Sequence, residues 1–436
     1  MTTLPLVKLT AASSIFSQIL SRENGLHERP GATRIGFYAS LVFATTSLDS
    51  RSEHDHLIPR DKKCDSDSTK RTIAYYESWA SQSQCNKFRP SDIDASQWTH
   101  INFAFADITG SGQIKPSSNE DVDLYSQTAD LKKKNSDLKV YIAVGGFGMD
   151  AAKKFSQMSS SESSRSDFID SAKKFMDEHN FDGIDIDWEY PVARGGSKSD
   201  TDNLNKLAKE MKDKFGDDKG ISITVPASQQ YLSGFGLENL QSHVDMINFM
   251  SYDLHGSWDR PLLAQSGTNL TEIDESLKVI RNMGVSMDKV NLGLAYYGYG
   301  YELQSSSCAE PGCSASSAIK KGPCGKTDGT LKISEIQDIM DKSGAKPKVD
   351  NEAAVAYFSW DQKNWVAYDN NETLQMKTKY AGENCLGGSF VWAIDMEDAK
   401  NPDEWLVPEA SGTKQTVSLA FLGAFSLCSY LLLSIV

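Results

Sequence analysis

Between Arg71 and Val407 the chain alternates short apolar runs with helical stretches. The runs are rich in valine, isoleucine, leucine and aromatic residues, and most are apolar on both faces, which is typical of buried parallel strands. Eight strands that alternate with helices predict an α/β fold, the closed (β/α)8 TIM barrel, whose active residues collect at the C-terminal ends of the strands. The predicted strands are Thr72–Tyr76, His100–Phe105, Val140–Val144, Gly183–Trp188, Ile221–Pro226, Met246–Ser251, Val290–Ala295 and Ser389–Ile394, and the predicted helices include Ala151–Met158, Asp167–Glu178, Asp202–Phe215 and Glu272–Met283.

The connection after the seventh strand is much longer than the others, because it runs from Tyr297 to Gly388. A connection of that length must contain structure of its own. We therefore expect a small α+β insertion subdomain over residues 300–351, beside the mouth of the barrel. The strand-like runs 353–360 and 365–369 are candidates for its extension.

The C-terminal end of the chain has a different character. Residues 416–436 are apolar and long enough to span a bilayer, and three small residues, 410–412, lie just before them. This arrangement predicts that residues 408–436 are either a signal for attachment of a GPI lipid or a retained membrane anchor. A buried terminal helix is the alternative.

The N-terminal end also differs from the barrel pattern. The apolar run 35–48 follows Arg34 and ends in small residues, as the core of a secretory signal does. A polar stretch then leads to the dibasic pair at 70–71, a candidate processing point. We expect residues 1–70 to be a leader and propeptide-like segment outside the fold, and residues 71–407 to form the folded unit.

Composition narrows the possible partners. The formal charge of −14 and the pI of about 5.0 disfavour nucleic acid and favour a neutral or cationic ligand. The seven cysteines include no CxxC pair and no zinc-type cluster, so they favour the disulfides of a secreted protein. Cys428 lies in the apolar tail, and the sequence does not choose among the pairings of the other six. Glycosylation sequons at Asn269 and Asn371 fit the same extracellular compartment.

A row of carboxylates follows one predicted strand, in the segment FDGIDIDWEYP. Side chains alternate between the faces of a strand, so Asp185, Asp187 and Glu189 share one face while Trp188 shares the other with two isoleucines. In a barrel the acidic face points inward and climbs to the C-terminal rim. Neighbouring carboxylates in an interior of low dielectric constant raise the pKa of at least one of them. Glu189, at the top of the row, is the candidate general acid.

Two other interpretations of this row are open. Three carboxylates supply the oxygen ligands that Ca²⁺ or Mg²⁺ needs, although bulky apolar residues rather than a flexible loop flank them here. An exposed edge strand with a wet acidic face is the second alternative, against which the regular apolar opposite face argues. Asp182 has the other parity and is expected to be structural. The histidines form no cluster in the sequence, and we expect no metal site and no cofactor.

The string DGIDIDWEYP matches the DxxDxDxE signature of glycoside hydrolase family 18, the chitinases and their relatives. The resemblance extends over most of residues 71–398. YYESW resembles the first strand of the family, MSYDLHGSWD its MxYD motif, and SFVWAIDMED its last strand. The cysteine-containing segment SSSCAEPGCSAS is similar to the insertion of fungal class V chitinases, particularly those of the killer-toxin-like branch.

The chain departs from the family pattern on the third strand. The string AVGGF has Ala143 where the family motif SxGG has a serine, whereas Gly145 and Gly146 match the motif. The family serine supports the carboxylate row by hydrogen bonding. Its absence therefore puts the pKa of Asp185 in question.

The resemblance implies a substrate-assisted mechanism, in which the 2-acetamido group of the substrate is the nucleophile. Glu189 would protonate the glycosidic oxygen and later deprotonate the attacking water. Asp187 would orient the acetamido N–H and share a proton with Asp185, and Tyr252 would donate to the acetamido oxygen. The implied substrate-binding residues are Asp253, Met250, Trp392, Tyr75, Trp79, Gly145 and Gly146, with Trp258 and Trp365 as further candidates for aromatic sugar contacts.

The resemblance thus implies an endo-acting, retaining chitinase that cuts β-1,4 linkages between N-acetylglucosamine units, with chitin or chito-oligosaccharides as its partner. An endo-β-N-acetylglucosaminidase acting on N-glycans, a transglycosylase and an inactive chitin-binding lectin are the alternatives. We expect the protein to be a monomer that is secreted and held at the cell surface through its C-terminus.

Overall fold

The computed structural model describes residues 64, 71–85, 87–148, 150–325 and 327–397. The leader predicted for residues 1–70, apart from Cys64, and the anchor predicted for residues 408–436 lie outside the described residues. Within the described ranges, no helix is both long enough and apolar enough to cross a membrane.

Strands and helices alternate along most of the described chain. The strands are β1 (Arg71–Glu77), β2 (His100–Ile108), β3 (Ile114–Pro116), β4 (Lys139–Gly145), β5 (Gly183–Asp187), β6 (Gly220–Pro226), β7 (Met246–Met250), β8 (Val290–Ala295), β9 (Tyr297–Leu303), β10 (Ala315–Ala318), β11 (Thr330–Lys332), β12 (Lys348–Asp350), β13 (Val355–Trp360), β14 (Asn364–Tyr368) and β15 (Gly388–Trp392). The α-helices are α1 (Asp121–Asp130), α2 (Ala151–Ser159), α3 (Glu162–Glu178), α4 (Asp200–Phe215), α5 (Gln229–Leu232), α6 (Leu237–Leu240), α7 (Leu270–Asn282), α8 (Ile333–Ser343) and α9 (Asn371–Glu383).

Eight parallel strands form a closed barrel, because β1 pairs with both β2 and β15. The other neighbours around the barrel are β2–β4, β4–β5, β5–β6, β6–β7, β7–β8 and β8–β15, and β3 pairs antiparallel with β2 outside this closed set. The predicted (β/α)8 TIM barrel and its eight strands are confirmed. Three strands end earlier than predicted, so that Trp188, Ser251 and Ile394 lie just beyond them.

The outer faces of the strands pack against the helices. Trp188 is fully buried and stacks on Phe155 of α2, with 5.3 Å between ring centroids. Asp182, predicted to be structural, accepts a hydrogen bond from the N–H of Val140 and forms an ion pair with Lys132. It therefore joins the start of β5 to β4 at the base of the barrel.

Three helices, α3, α4 and α7, begin earlier than their apolar patterns indicated. The hydroxyl oxygen of Ser161 caps α3 by accepting a hydrogen bond from the N–H of Ser164. The helix therefore begins before the first residue of its apolar pattern. Asn269, the first sequon residue, caps α7 through its Oδ1 atom, which accepts the N–H of Thr271. Asn371, the asparagine of the second sequon, is the first residue of α9. Glycosylation at both sites stays a prediction.

The insertion is an antiparallel sheet with α8 beside it. Its strand order is β10-β9-β14-β13-β12, and β11 also pairs with β9. The sheet extends beyond the predicted bounds of 300–351 at both ends, to Tyr297 and Tyr368. The runs 353–360 and 365–369, predicted as candidates for an extension, correspond to β13 and β14. They lie in the middle of the sheet, because β14 pairs directly with β9.

Disulfides tie both the insertion and Cys64 to the barrel. The pairs are Cys64–Cys385, Cys85–Cys324 and Cys308–Cys313. The second pair joins the loop after β1 to the insertion, and the third closes a short loop within it. Cys64 lies in the predicted leader, yet its bond to Cys385 attaches it to the segment that leads into β15.

Candidate active site

The acidic row lies inside the C-terminal end of the barrel, as predicted. Asp185 and Asp187 are on β5 and face the interior, and Glu189 follows two residues beyond the end of the strand. Their exposed fractions are 0%, 3% and 7%, so the row rises from the closed interior toward the mouth. Three carboxyl groups thus share one poorly solvated space, which disfavours their simultaneous ionisation.

Asp185 at the bottom of the row is surrounded by donors. The hydroxyl of Ser222 donates to its Oδ1 atom at 2.6 Å, and that of Tyr75 donates to its Oδ2 atom at 2.8 Å. Thr224 and the side-chain amide of Asn248 also bond to it, at 3.1 Å. Burial raises the pKa of Asp185, and the hydrogen bonds from these four residues oppose the rise.

The serine missing at position 143 therefore has a counterpart. Ala143 on β4 and Ser222 on β6 are both in register with Asp185, one on each side. The serine hydroxyl that donates to Asp185 therefore comes from Ser222 on β6 and not from a residue on β4. The departure from the SxGG motif leaves the carboxylate supported.

Asp187 has a different environment. Its buried Oδ1 atom has no hydrogen-bond partner within the part of the chain that the structure describes. Burial, and then the charges of Glu189 and Asp185, raise the pKa of Asp187 well above its usual range. A buried acceptor without a partner costs free energy, so Asp187 is poised to accept a donor from a bound molecule.

Glu189 at the top of the row has the pKa of a general acid. Burial, with a smaller contribution from the charge of Asp253, raises the pKa of Glu189 to about 7. A hydrogen bond with Tyr190 and the charge of Arg194 act in the opposite direction. At neutral pH a substantial fraction of this carboxyl group is therefore protonated and able to donate a proton.

Tyr252 and Asp253 follow β7 and complete the rim of the site. The Tyr252 ring is buried against the edges of Tyr297 and Phe390. The hydroxyls of Tyr297 and Tyr299 both donate to the Oδ1 atom of Asp253, at 2.5 and 2.7 Å. Both tyrosines belong to β9, so the first strand of the insertion sheet contributes to the site.

Three of the predicted aromatic contacts are accessible at the mouth. Trp392 is half-buried and stacks on Phe105, with 5.6 Å between ring centroids, and Trp79 lies 6.2 Å from the same Phe105. Trp258 is exposed on the loop after β7 and meets Tyr299 edge-on. Their contact with a sugar stays a prediction.

Tyr75 and Trp365, both predicted to contact sugar, are buried in the structure, and their contact with a sugar stays a prediction. Tyr75 is only 1% exposed, and its hydroxyl is bonded to Asp185, so it supports the row from inside the barrel. Trp365 is fully buried in the insertion, where its indole N–H donates to the carbonyl of Ala309. Met250 is buried in the barrel interior among the residues that pack with Tyr252.

Gly145 and Gly146 lie where the loop after β4 meets the end of β5, and their predicted contact with substrate stays a prediction. Gly145 has φ +117°, and a Cβ atom there would lie 2.1 Å from the carbonyl oxygen of Asp187. The N–H of Gly146 donates to that same oxygen at 3.0 Å. Gly145 is required because the loop after β4 approaches the acidic strand closely, whereas a Cβ atom at Gly146 would lie 2.7 Å from the ring of Phe105.

Several residues of the site were missed by the sequence analysis. Ser222, Thr224 and Asn248 show a usable signal, because they are polar residues at alternate positions that face the barrel interior. Tyr297 and Tyr299 show the same alternation at the start of the long connection. Two more lie on the loops at the mouth of the barrel: Phe147 and Arg194.

Comparison with known proteins agrees with this geometry. The family model "Glycosyl hydrolases family 18" matches residues 71–397. The "Secreted chitinase LysM12" of Penicillium expansum is 31% identical over 366 residues, which cover 77% of this chain and 24% of that protein. The chain thus spans about a quarter of the length of this relative.

Solved structures show the same fold. The group IV chitinase of Ostrinia furnacalis matches with a TM-score of 0.71 and 28% identity, covering 78% of this chain and 96% of that one. Human YKL-39, described as a pseudo-chitinase with retained chitooligosaccharide binding, matches with a TM-score of 0.71 and 27% identity, covering 78% and 97%. The acidic row and the family match together show that this chain belongs to glycosyl hydrolase family 18.

Proposed function

We propose that this protein is a chitinase that hydrolyses β-1,4 linkages between N-acetylglucosamine units with retention of the anomeric configuration. The observation that carries the proposal is the pair formed by Glu189 and Asp187. One is a carboxyl group with a pKa of about 7 at the mouth, and the other presents a buried acceptor oxygen without a partner. An acid beside an open acceptor suits a substrate whose acetamido N–H must be oriented.

Each residue then has a defined role. Glu189 donates its proton to the glycosidic oxygen while the bond from that oxygen to the anomeric carbon breaks. The acetamido carbonyl oxygen attacks the anomeric carbon and forms an oxazolinium ion, whose N–H is held by Asp187. The Tyr252 hydroxyl donates a hydrogen bond to the acetamido oxygen. Asp185 shares a proton with Asp187, so the two carboxyl groups titrate together. Water then opens the ring as Glu189 takes back a proton.

The test is hydrolysis of chito-oligosaccharides and colloidal chitin by the full chain, beside Glu189→Gln and the matched exposed variant Glu302→Gln. We expect release of short oligosaccharides as the β-anomer, with kcat/KM falling as pH rises through about 7, since the acid is then ionised. Glu189→Gln should lower kcat by roughly 10³-fold and Glu302→Gln should not.

Two other outcomes would replace this proposal. Binding without hydrolysis by the parent protein would favour a lectin, as YKL-39 is described as a pseudo-chitinase that retains chitooligosaccharide binding. Release of N-glycans from a glycoprotein, with no action on chitin, would favour an endo-β-N-acetylglucosaminidase. Both assays use the same preparation.

We also propose an extracellular location, supported by the three disulfides and by the relative named as a secreted chitinase. We further propose that residues 408–436 attach the protein to the cell surface and that the protein is a monomer. A phospholipase that cleaves GPI lipids should release the protein from cells. A protein that is already free in the medium would contradict the attachment.

A further inference from the structure

The arginine after the acidic strand makes an unusual set of contacts. Arg194 lies in the loop that follows Glu189, with φ +51°. One guanidinium nitrogen, Nη1, donates to the carbonyl oxygen of Glu189 at 3.0 Å, and the other, Nη2, donates to that of Phe147 at 3.3 Å. The carbonyl of Gly148 lies 3.5 Å from Nη2. The plane of the same group covers the Phe147 ring, with 3.8 Å from Cζ to the ring centroid.

These contacts connect the two loops beyond the point where the pairing of β4 with β5 ends. Parallel pairing of β4 with β5 ends at Gly145 and Asp187, and the last backbone bond runs from Gly146 N–H to Asp187. Glu189 lies beyond that point, where β4 offers no further partner. Arg194 supplies the missing link, because its planar fork bonds carbonyls of both loops at once.

We propose that Arg194 is a positioning residue, which fixes the main chain of Glu189 by clamping it to the loop after β4 and holds the Phe147 ring at the mouth. The role in hydrolysis rests on the function proposed above. The clamp itself is a property of the fold and can be measured without substrate. Phe147 is 71% exposed although Arg194 covers one ring face, so the other face is open to solvent.

The charge of Arg194 supports the same role. It lowers the pKa of Glu189 against burial and against the charge of Asp253, which raise it. Among the residues that the structure describes, the other ionisable groups that interact with Glu189 are Asp187, Tyr190 and Tyr252. Arg194 is therefore the cation in this set, and its removal should make Glu189 harder to ionise.

The experiment compares Arg194→Gln and Arg194→Lys with Arg260→Gln in the full chain. Arg260 is the matched control, an arginine at the mouth whose guanidinium bonds only to carbonyls of its own loop, those of Ser257 and Asp259, among the described residues. Hydrogen exchange over residues 145–151 and 188–196 reads the clamp directly. The pH profile of kcat/KM reads its effect on the acid.

We expect Arg194→Gln to speed exchange in both segments, to lower kcat by about tenfold with little change in KM, and to move the alkaline limb up by about half a pH unit. Arg194→Lys keeps the charge but not the fork. It should leave the alkaline limb in place while exchange and kcat change as in Arg194→Gln. Arg260→Gln should change none of these readings.

Unchanged exchange in both segments of Arg194→Gln would overturn the proposal, whatever the activity. Faster exchange with unchanged kcat and an unmoved alkaline limb would overturn the role in catalysis and leave a purely structural contact. If the parent chain hydrolyses no chito-oligosaccharide, the proposed function fails, and the exchange comparison still decides whether the clamp exists.

Discussion

Asp185 and Asp187 lie two residues apart on one strand and face the same interior, yet their surroundings are opposite. Asp185 receives hydrogen bonds from four side chains, whereas the Oδ1 atom of Asp187 receives none from the described residues. Four donors hold a carboxylate in place and oppose the rise in its pKa that burial causes. One without donors is costly until a ligand arrives. The lower residue is therefore part of the framework and the upper one part of the binding site.

The largest expected effect is that of Asp187→Asn, which tests the assignment of Asp187 to the binding site. The amide cannot carry the negative charge that stabilises the oxazolinium ion, so we expect kcat to fall by roughly 10²–10³-fold with a small change in KM. Asp182→Asn is the matched control, since that carboxylate lies at the base of the same strand and faces away from the barrel interior. It should lose stability without a comparable loss of kcat. Equal losses of kcat in the two variants would remove the distinction.

A smaller effect should follow from removing one donor to Asp185. Ser222→Ala takes away the 2.6 Å hydrogen bond, which stabilises the ionised carboxylate. The loss should destabilise the ionised carboxylate by about 1–2 kcal/mol and so raise the pKa of Asp185. Because the pair must keep one ionised carboxylate, activity should then be lost at a higher pH on the acidic side. The pH profile of kcat/KM measures this shift.

The register of the barrel offers a rescue for that variant. Ala143 flanks Asp185 from the strand opposite Ser222, so Ala143→Ser in the Ser222→Ala background places a hydroxyl on the other side. The acidic limb should return toward its original position. A double variant no better than Ser222→Ala would mean that the β4 side cannot replace the β6 side.

The interchange of Ser222 and position 143 also shows which features of the site could be predicted from the sequence. The eight strands were predictable because their residues are apolar on both faces, and the acidic row because alternation along one strand is local. The donors to Asp185 come from β1, β6 and β7, and their meeting depends on register between strands far apart in sequence. The same holds for Arg194 and Phe147, whose contact joins two loops without regular structure. The hydrogen bond from Tyr75 to Asp185 was likewise not predictable, because the parity of Tyr75 was clear and its depth in the barrel was not.

The smallest effect is expected at Asp253, where two donors share one oxygen atom. Tyr299→Phe removes one hydroxyl from the Oδ1 atom and leaves that of Tyr297 in place, so the carboxylate keeps its position. We expect KM for chito-oligosaccharides to rise by about two- to threefold, which is roughly half a kcal/mol, with kcat unchanged. Steady-state kinetics near neutral pH gives both values.

Tyr301→Phe is the control for that variant, because Tyr301 lies two residues further along β9 and its buried hydroxyl has no partner among the described residues. Removing a hydroxyl that makes no bond should leave both KM and kcat unchanged. If Tyr299→Phe behaved like Tyr301→Phe, the bond to Asp253 would carry no binding energy, and Tyr297 alone would connect the insertion to the site. If it instead lowered kcat as strongly as Asp187→Asn, the rim would belong with the reacting groups, and the division between framework and binding site would have to extend to β9.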